Sequence, residues 1–304
     1  MKRKGVFRNE NGNVAVLMAL SMTMLIGFVA LAVDGGLALL ERSRLQRAAD
    51  AAALAGVLEL PERPEQATEH ARNAAALNGV AASAINVAFS DDRRDITVTA
   101  RRTVPFYFAP VLGVNGASMS AEATARIAPL ASGLKAVPLG VEHTTSLAFG
   151  TRVVLKVGAS AGPGSFGALV LSGTGASEYE RDLREGYPQL LRTGTVLATQ
   201  TGNIAGPTKR AADEIIARCP SATYLNYPIN CERAVLVPMV RAVTVDQNQV
   251  KQVVVTGFAT FFIESVSSTS AGAEVVGRFI RRTASGEIGD DAPNYGTFGT
   301  RLIR

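Results

Sequence analysis

An α+β chain hung from an N-terminal membrane helix is the fold class that three observations predict. First, Val14 to Val33 is a run of twenty residues without a charge, and about 20 apolar residues suffice to cross a bilayer core as a helix. Second, Leu37 to Glu59 continues as an alanine-rich helical run with no proline before Pro61. Third, the chain beyond residue 84 turns to short segments of period two, the mark of strands. The expected architecture is a transmembrane and amphipathic helix, then a small unit of one helix on an antiparallel sheet, then a β-rich C-terminal domain with two helices. In residues this gives a basic cytoplasmic N-terminus (1–13), a transmembrane helix (14–33), an extension helix (34–60), a small α+β unit (61–130) and an extracytoplasmic β-rich domain (131–304).

The anchor is bounded by Val14 and Val33, with Asp34 at the outer edge. Aspartate is costly in hydrocarbon and paired glycines loosen a helix, so Asp34-Gly35-Gly36 marks a kink or the point of entry into water. Lys2, Arg3, Lys4 and Arg8 precede the span and favour a cytoplasmic N-terminus. Arg42, Arg44 and Arg47 on the far flank weaken that asymmetry, but long domains translocate largely regardless of charge. A cleaved signal peptide is the competing reading, with Ala30-Leu31-Ala32 as a cleavage site. Its apolar core would have to be nearly twenty residues long, whereas such cores run to about 7–15.

Beyond the anchor, Leu37, Leu40, Leu45, Ala48, Ala52 and Ala55/Gly56 follow helical spacing. Ala48, Ala52 and Gly56 repeat every four residues and form a narrow face that lets another helix come close. The plainer explanation is helix propensity, since alanine is the best helix former. Pro61 ends this helix. Pro64 opens the next, which Asn78-Gly79 closes near Leu77. Residues 84–90 and 95–104 alternate across the charged turn SDDRR and read as a hairpin. PFYFAPVLGV (105–114) is a short apolar turn, and ASMSAEATARI (117–127) is a third strand.

Residues 129–140 form a boundary. Past it we expect strands at 136–141, 151–157, 166–171, 195–198, 234–240, 252–263 and 274–281. Helices are expected at 177–184 and from about Pro207 onward. ESVSSTSAGAE (264–274) reads as a hairpin loop and FGTRLIR as a closing edge strand. The two cysteines, Cys219 and Cys231, flank a turn-rich segment. Outside the cytoplasm they are expected to form a disulfide; two separate buried thiols are the alternative.

Composition argues against several function classes. The net charge of +5 comes from scattered Lys and Arg, without tryptophan and without a nucleic-acid-binding motif, so no nucleic acid is expected as a partner. Gly162-x-Gly164-x-x-Gly167 matches the dinucleotide fingerprint in letters only. Pro163 lies inside it, and a strand rather than a helix follows. The chain has two histidines, His70 and His143, and no Gly-x-Ser-x-Gly elbow. Asp91, Asp92 and Asp95, like Asp290 and Asp291, read as charged turns rather than calcium loops. No catalytic residue, cofactor, metal or small-molecule substrate is expected.

The N-terminal residues carry a resemblance. A Gly-x-x-Ala-Val start at Gly12, an apolar span closing on Ala32-Val33-Asp34, and Leu45-Gln46-x-Ala48-Ala49-Asp50-Ala51-Ala52-Ala53-Leu54-Ala55-Gly56 resemble TadE/TadG-like proteins of Flp-type (tight-adherence) pilus assembly. The hairpin, the 105–114 loop and the third strand extend the resemblance to residue 128. Leu17 stands where TadE-type members carry the glutamate of a prepilin cleavage site, which points to the unprocessed, TadG-like type. No Asp-x-Ser-x-Ser pentapeptide of a von Willebrand-type domain occurs. The resemblance implies a non-enzymatic, single-pass component of the assembly machine in the cytoplasmic membrane, with pilin-like or other pilus-assembly proteins as partners. The alternative from another class is a membrane-tethered extracytoplasmic hydrolase or ligand-binding domain, with His143 and Ser146 or Ser165 in its pocket.

Overall fold

A computed structural model describes residues 11–60, 63–145, 148–157, 165–200, 204–228, 230–246, 249–269 and 272–303. The chain divides into two compact units, 1–125 with 302–304, and 126–301. The fold is mixed α and β.

In the first unit, α1 (Asn11–Val57) is a single uninterrupted helix of 47 residues. The Asp34-Gly35-Gly36 step, read from sequence as a kink or a point of entry into water, lies inside it without a break. Two glycines cost a helix only about 1 kcal/mol each against alanine, and the hydrogen-bonded turns on either side outweigh that. α2 (Pro64–Leu77) returns beside α1, with Ala67, Ala71 and Ala75 buried. It ends as Asn78-Gly79 predicts: Gly79 takes φ +79°, and the N–H groups of Gly79 and Val80 close on the Ala76 and Ala75 carbonyls at 3.0 Å each. These two bonds satisfy carbonyls that the helix end would otherwise leave unpaired.

Strands β1 (Ile85–Phe89), β2 (Asp95–Pro105) and β3 (Gly116–Pro129) follow. β1 and β2 pair antiparallel from Ile85↔Ala100 to Phe89↔Ile96. The inward residues of β2, among them Ile96, Val98 and Ala100, are buried, as the period-two alternation requires. A 3₁₀ turn at Ala109–Leu112 joins β2 to β3.

The second unit contains β4 (Ser132–Gly133), β5 (Leu139–Glu142), β6 (Arg152–Val157), β7 (Ser165–Ala168), α3 (Ala176–Glu185), β8 (Leu191–Arg192), β9 (Val196–Ala198), α4 (Ala205–Arg218), β10 (Ala234–Asp246), β11 (Gln249–Thr269), β12 (Gly272–Ile280), β13 (Arg282–Thr283) and β14 (Thr297–Leu302). Its main sheet runs β6-β12-β11-β10-β5-β7, with β9 paired to β11. β10, β11 and β12 form consecutive antiparallel hairpins, whereas β5 joins β10 in parallel.

Residues 264–269, read from sequence as loop, are strand. Ser265 to Thr269 pair with Val276 back to Gly272. The β-branched and hydroxyl side chains that resemble a polar loop suit the pleated edge of a long hairpin equally well. Alternation along β11, reset by a bulge where Met239 pairs with Gly257 and Val240 with Val255, sorts two cores. Ala259, Phe261 and Ile263 pack with Tyr179 and Leu183 of α3 and Ala211 and Ile215 of α4. Phe258, Val253 and Val255 pack on the other face with Leu130, Leu169 and Leu236.

Candidate functional site

The anchor shows itself by exposure. Large apolar side chains from Val14 to Val33 face outward on all sides of α1, Val14 being 61% and Val33 40% exposed. Asp34, the next residue, is 5% exposed. Asp34 is therefore the first residue of a face that the rest of the unit covers. Water-soluble surfaces do not carry a continuous apolar cylinder of this size, and α1 is long and apolar enough to cross a membrane. The basic cluster Lys2, Arg3, Lys4 and Arg8 lies outside the described residues, as does Pro61.

From Asp34 onward one face of α1 is covered. Asp34, Glu41, Leu45, Ala48, Ala49, Ala52, Ala53 and Val57 are buried, a spacing that places them on a single helical stripe. The small-residue face of Ala48, Ala52 and Gly56 meets this chain's own elements. A Cβ on Gly56 would lie 2.5 Å from Ile96 Cδ1 of β2, 2.8 Å from the Ala67 carbonyl oxygen and 3.2 Å from Ala71 Cβ of α2. At Gly56 the elements that come close are α2 and β2.

Two acidic residues one heptad apart fasten β2 and its following turn to α1. The Asp34 carboxylate accepts the backbone N–H groups of Tyr107 (2.8 Å), Phe108 (3.1 Å) and Ala109 (2.7 Å). Asp34 thereby satisfies the otherwise orphaned donors that open the 3₁₀ turn, 73 to 75 residues further along the chain. Glu41 receives Arg102 Nη1 at 2.6 Å, and Arg102 Nη2 reaches the Gly79 carbonyl at 2.8 Å. One arginine thus joins α1, β2 and the end of α2. Sequence reasoning reached Asp34 only as a boundary marker and missed Glu41 and Arg102. The available signal was two acids at i and i+7 on the apolar stripe of a helix.

In the second unit Cys219 and Cys231 form a disulfide with Cα atoms 6.0 Å apart. It closes the segment between α4 and β10 over β11, where Cys231, Ala222, Phe262 and Ile280 form a small core. Beside it lies Arg233, 6% exposed, which no motif or spacing in the chain singles out. Its Nε donates to the Ile263 carbonyl (2.9 Å), Nη1 to those of Cys219 (3.3 Å), Pro220 (3.4 Å) and Ala222 (2.9 Å), and Nη2 to that of Glu264 (3.3 Å). The guanidinium also lies over the Phe262 ring, 4.8 Å from its centroid. Burial pulls its pKa below the ordinary value, opposed by the Glu264 carboxylate. It stays charged, because so basic a group has far to fall. Replacing both cysteines by serine is expected to cost about 3 kcal/mol through loop-closure entropy. Denaturant unfolding of the oxidised and double-serine proteins measures this.

Of the residues of the alternative reading, Ser165 opens β7 opposite Val141 of β5. His143 follows β5, and its backbone N–H donates to Val240 O at 2.9 Å. Ser146, Gly162 and Gly164 lie outside the described residues, and Gly167 sits within β7. In the SDDRR turn, Ser90 Oγ donates to Asp92 Oδ1 at 2.6 Å and accepts the Asp95 N–H at 2.9 Å, so these acids organise a hairpin.

A long helix, bare and apolar over its first half and folded against its own helix and sheet over its second, defines the class of membrane-anchored protein with a compact membrane-proximal unit. Residues 12–82 match the family model of Flp pilus-assembly TadE/G-like proteins, so the anchor, its extension and α2 are TadE/G-like. No curated protein and no solved structure matches the chain. The match and the exposed apolar helix fit a membrane-anchored pilus-assembly component.

Proposed function

We propose that this protein is a TadG-like, uncleaved, single-pass component of Flp (tight-adherence) pilus assembly, with its N-terminus in the cytoplasm and residues 34–304 outside the cytoplasmic membrane. The observation that carries this reading is the change at Val33/Asp34, from an apolar helix exposed all round to the same helix buried on one face. That geometry suits a helix held by lipid over one half and by its own unit over the other. Leu17, in place of the glutamate of processed relatives, supports retention of the anchor.

On this reading the role is structural rather than enzymatic. With two histidines in the chain and no nucleophile signature, residue chemistry favours binding over catalysis. Because Ala48 and Ala52 are buried within this chain and Gly56 packs against α2 and β2, the surfaces left for pilus-assembly partners are the lipid-facing span and the β-rich second unit, whose strand edges can pair with another chain.

Topology is the direct test. The protein should resist carbonate extraction from membranes. Protease added to the extracytoplasmic face should remove everything past the anchor and leave an N-terminal fragment of roughly 4 kDa, as expected for about 35 residues. Release by carbonate, or full protection from the protease, would refute the proposal.

A further inference from the structure

We propose that the turn between β2 and β3 is a second membrane contact, an interfacial foot that lies in the headgroup region of the leaflet where α1 emerges. It rests on the anchor proposed for Val14–Val33. Three observations converge on it.

The first is position. Three N–H···carboxylate bonds hold Tyr107, Phe108 and Ala109 against Asp34, the residue that ends the apolar span. The rungs Gly56–Ile96, Glu41–Arg102 and Asp34–Tyr107 show β2 running antiparallel to α1, so its far end points towards the span. At 1.5 Å of rise per residue, the Arg102 rung stands about 10 Å further from the membrane than the Asp34 rung.

The second is composition. Pro105 to Asn115 is eleven residues without a charge, whereas the SDDRR turn at the other end of β2 carries four.

The third is exposure. Tyr107 is 71%, Phe108 42%, Val111 90% and Val114 48% exposed. A turn that meets water alone has no physical reason to present two aromatic and two β-branched side chains. The headgroup region gives one, since tyrosine and other amphipathic rings gather there. This apolar surface is tied to Asp34, the residue that follows the span, which points to lipid as its occupant. The short turn needs only to dip into the interface, where its polar backbone stays hydrated and no bare backbone has to enter hydrocarbon. Two contacts on one rigid unit would also fix its rotation and tilt about the anchor, which a lone helix leaves free.

The test places single cysteines for spin labels in the full-length protein, reconstituted in vesicles of phosphatidylethanolamine and phosphatidylglycerol. Among the described residues both native cysteines are tied up in the disulfide. Val111→Cys reports on the foot. Leu25→Cys reports on the span, about 14 Å along the helix from Asp34. Leu58→Cys, about 36 Å along in the other direction, reports on water. Oxygen partitions into lipid and a nickel chelate into water. The ratio of oxygen to nickel accessibility should be several-fold higher at Val111 than at Leu58, and highest at Leu25. If Leu25 reads as lipid while Val111 matches Leu58, or is shielded from both probes by a protein partner, the foot is refuted and the anchor stands. If Leu25 itself reads as water, the anchor reading falls, and the foot with it.

Discussion

Gly56→Val is expected to open the first unit while leaving the anchor in place. A Cβ at this position would sit 2.8 Å from the backbone carbonyl oxygen of Ala67 and 2.5 Å from Ile96 Cδ1. The isoleucine end can turn aside, but the carbonyl belongs to α2 and moves only with the helix. Valine adds two further methyl groups to that contact. Overpacking of this kind costs about 1–3 kcal/mol, and the backbone clash places this case at the upper end. Because Ala67, Ala71 and Ala75 offer no side-chain length to retract, α2 must separate from α1. The readout is amide hydrogen exchange on the full-length protein in detergent, with α2 and β2 losing protection while β10 to β12 keep theirs. Gly36→Val supplies the control. A Cβ there has nothing within 4 Å, and replacing a helical glycine reduces the backbone entropy that folding must give up, so protection should hold or rise. If Gly56→Val leaves the protection of α2 unchanged, the close helix–helix contact does not organise this unit.

How far these features could be read from sequence depends on the range of the forces behind them. The span, the alanine stripe, the Asn78-Gly79 stop and the SDDRR hairpin are written in local spacing and local turn chemistry, and each appears where its pattern sits. Ala48, Ala52 and Gly56 were legible as small residues made for close packing. Their partner was not, because the same spacing serves contact within a chain and between chains. Which one holds is decided by α2, folding back from Pro64. Asp34 shows the same limit more sharply. Its charge marked the membrane edge, but its three ligands are backbone groups 73 to 75 residues away, and backbone donors leave no trace in a side-chain pattern. The 264–269 strand was missed for a different reason. Serine and threonine serve both loops and exposed strand faces, and only the pairing with β12 separates the two.

Arg233→Ala is expected to be the most damaging single change in the second unit. Five backbone carbonyls, those of Cys219, Pro220, Ala222, Ile263 and Glu264, converge on this guanidinium. Three of them come from the chain just past the end of α4, where carbonyls lack intrahelical partners and a cation is favoured by the helix dipole. Truncation leaves them facing a cavity beside Phe262, and each buried group left unpaired costs about 1–3 kcal/mol. Allowing for water entry and for second partners on some oxygens, a loss of about 3–5 kcal/mol is expected. That equals or exceeds the loss from removing the neighbouring disulfide. Arg233→Lys should recover little of it, because a single ammonium offers three donors from one point, whereas these carbonyls need the five-donor planar fork. The arginine and the disulfide also hold the same segment, so their losses should not add. In the triple variant with both cysteines changed to serine, the combined loss should fall short of the sum by more than about 0.5 kcal/mol, the ceiling for independent sites. Urea unfolding of the parent, the two Arg233 variants, the double-serine protein and the triple variant tests all three expectations. An Arg233→Ala midpoint within error of the parent would mean that these carbonyls find water as readily as arginine, and that the segment is held by its disulfide alone.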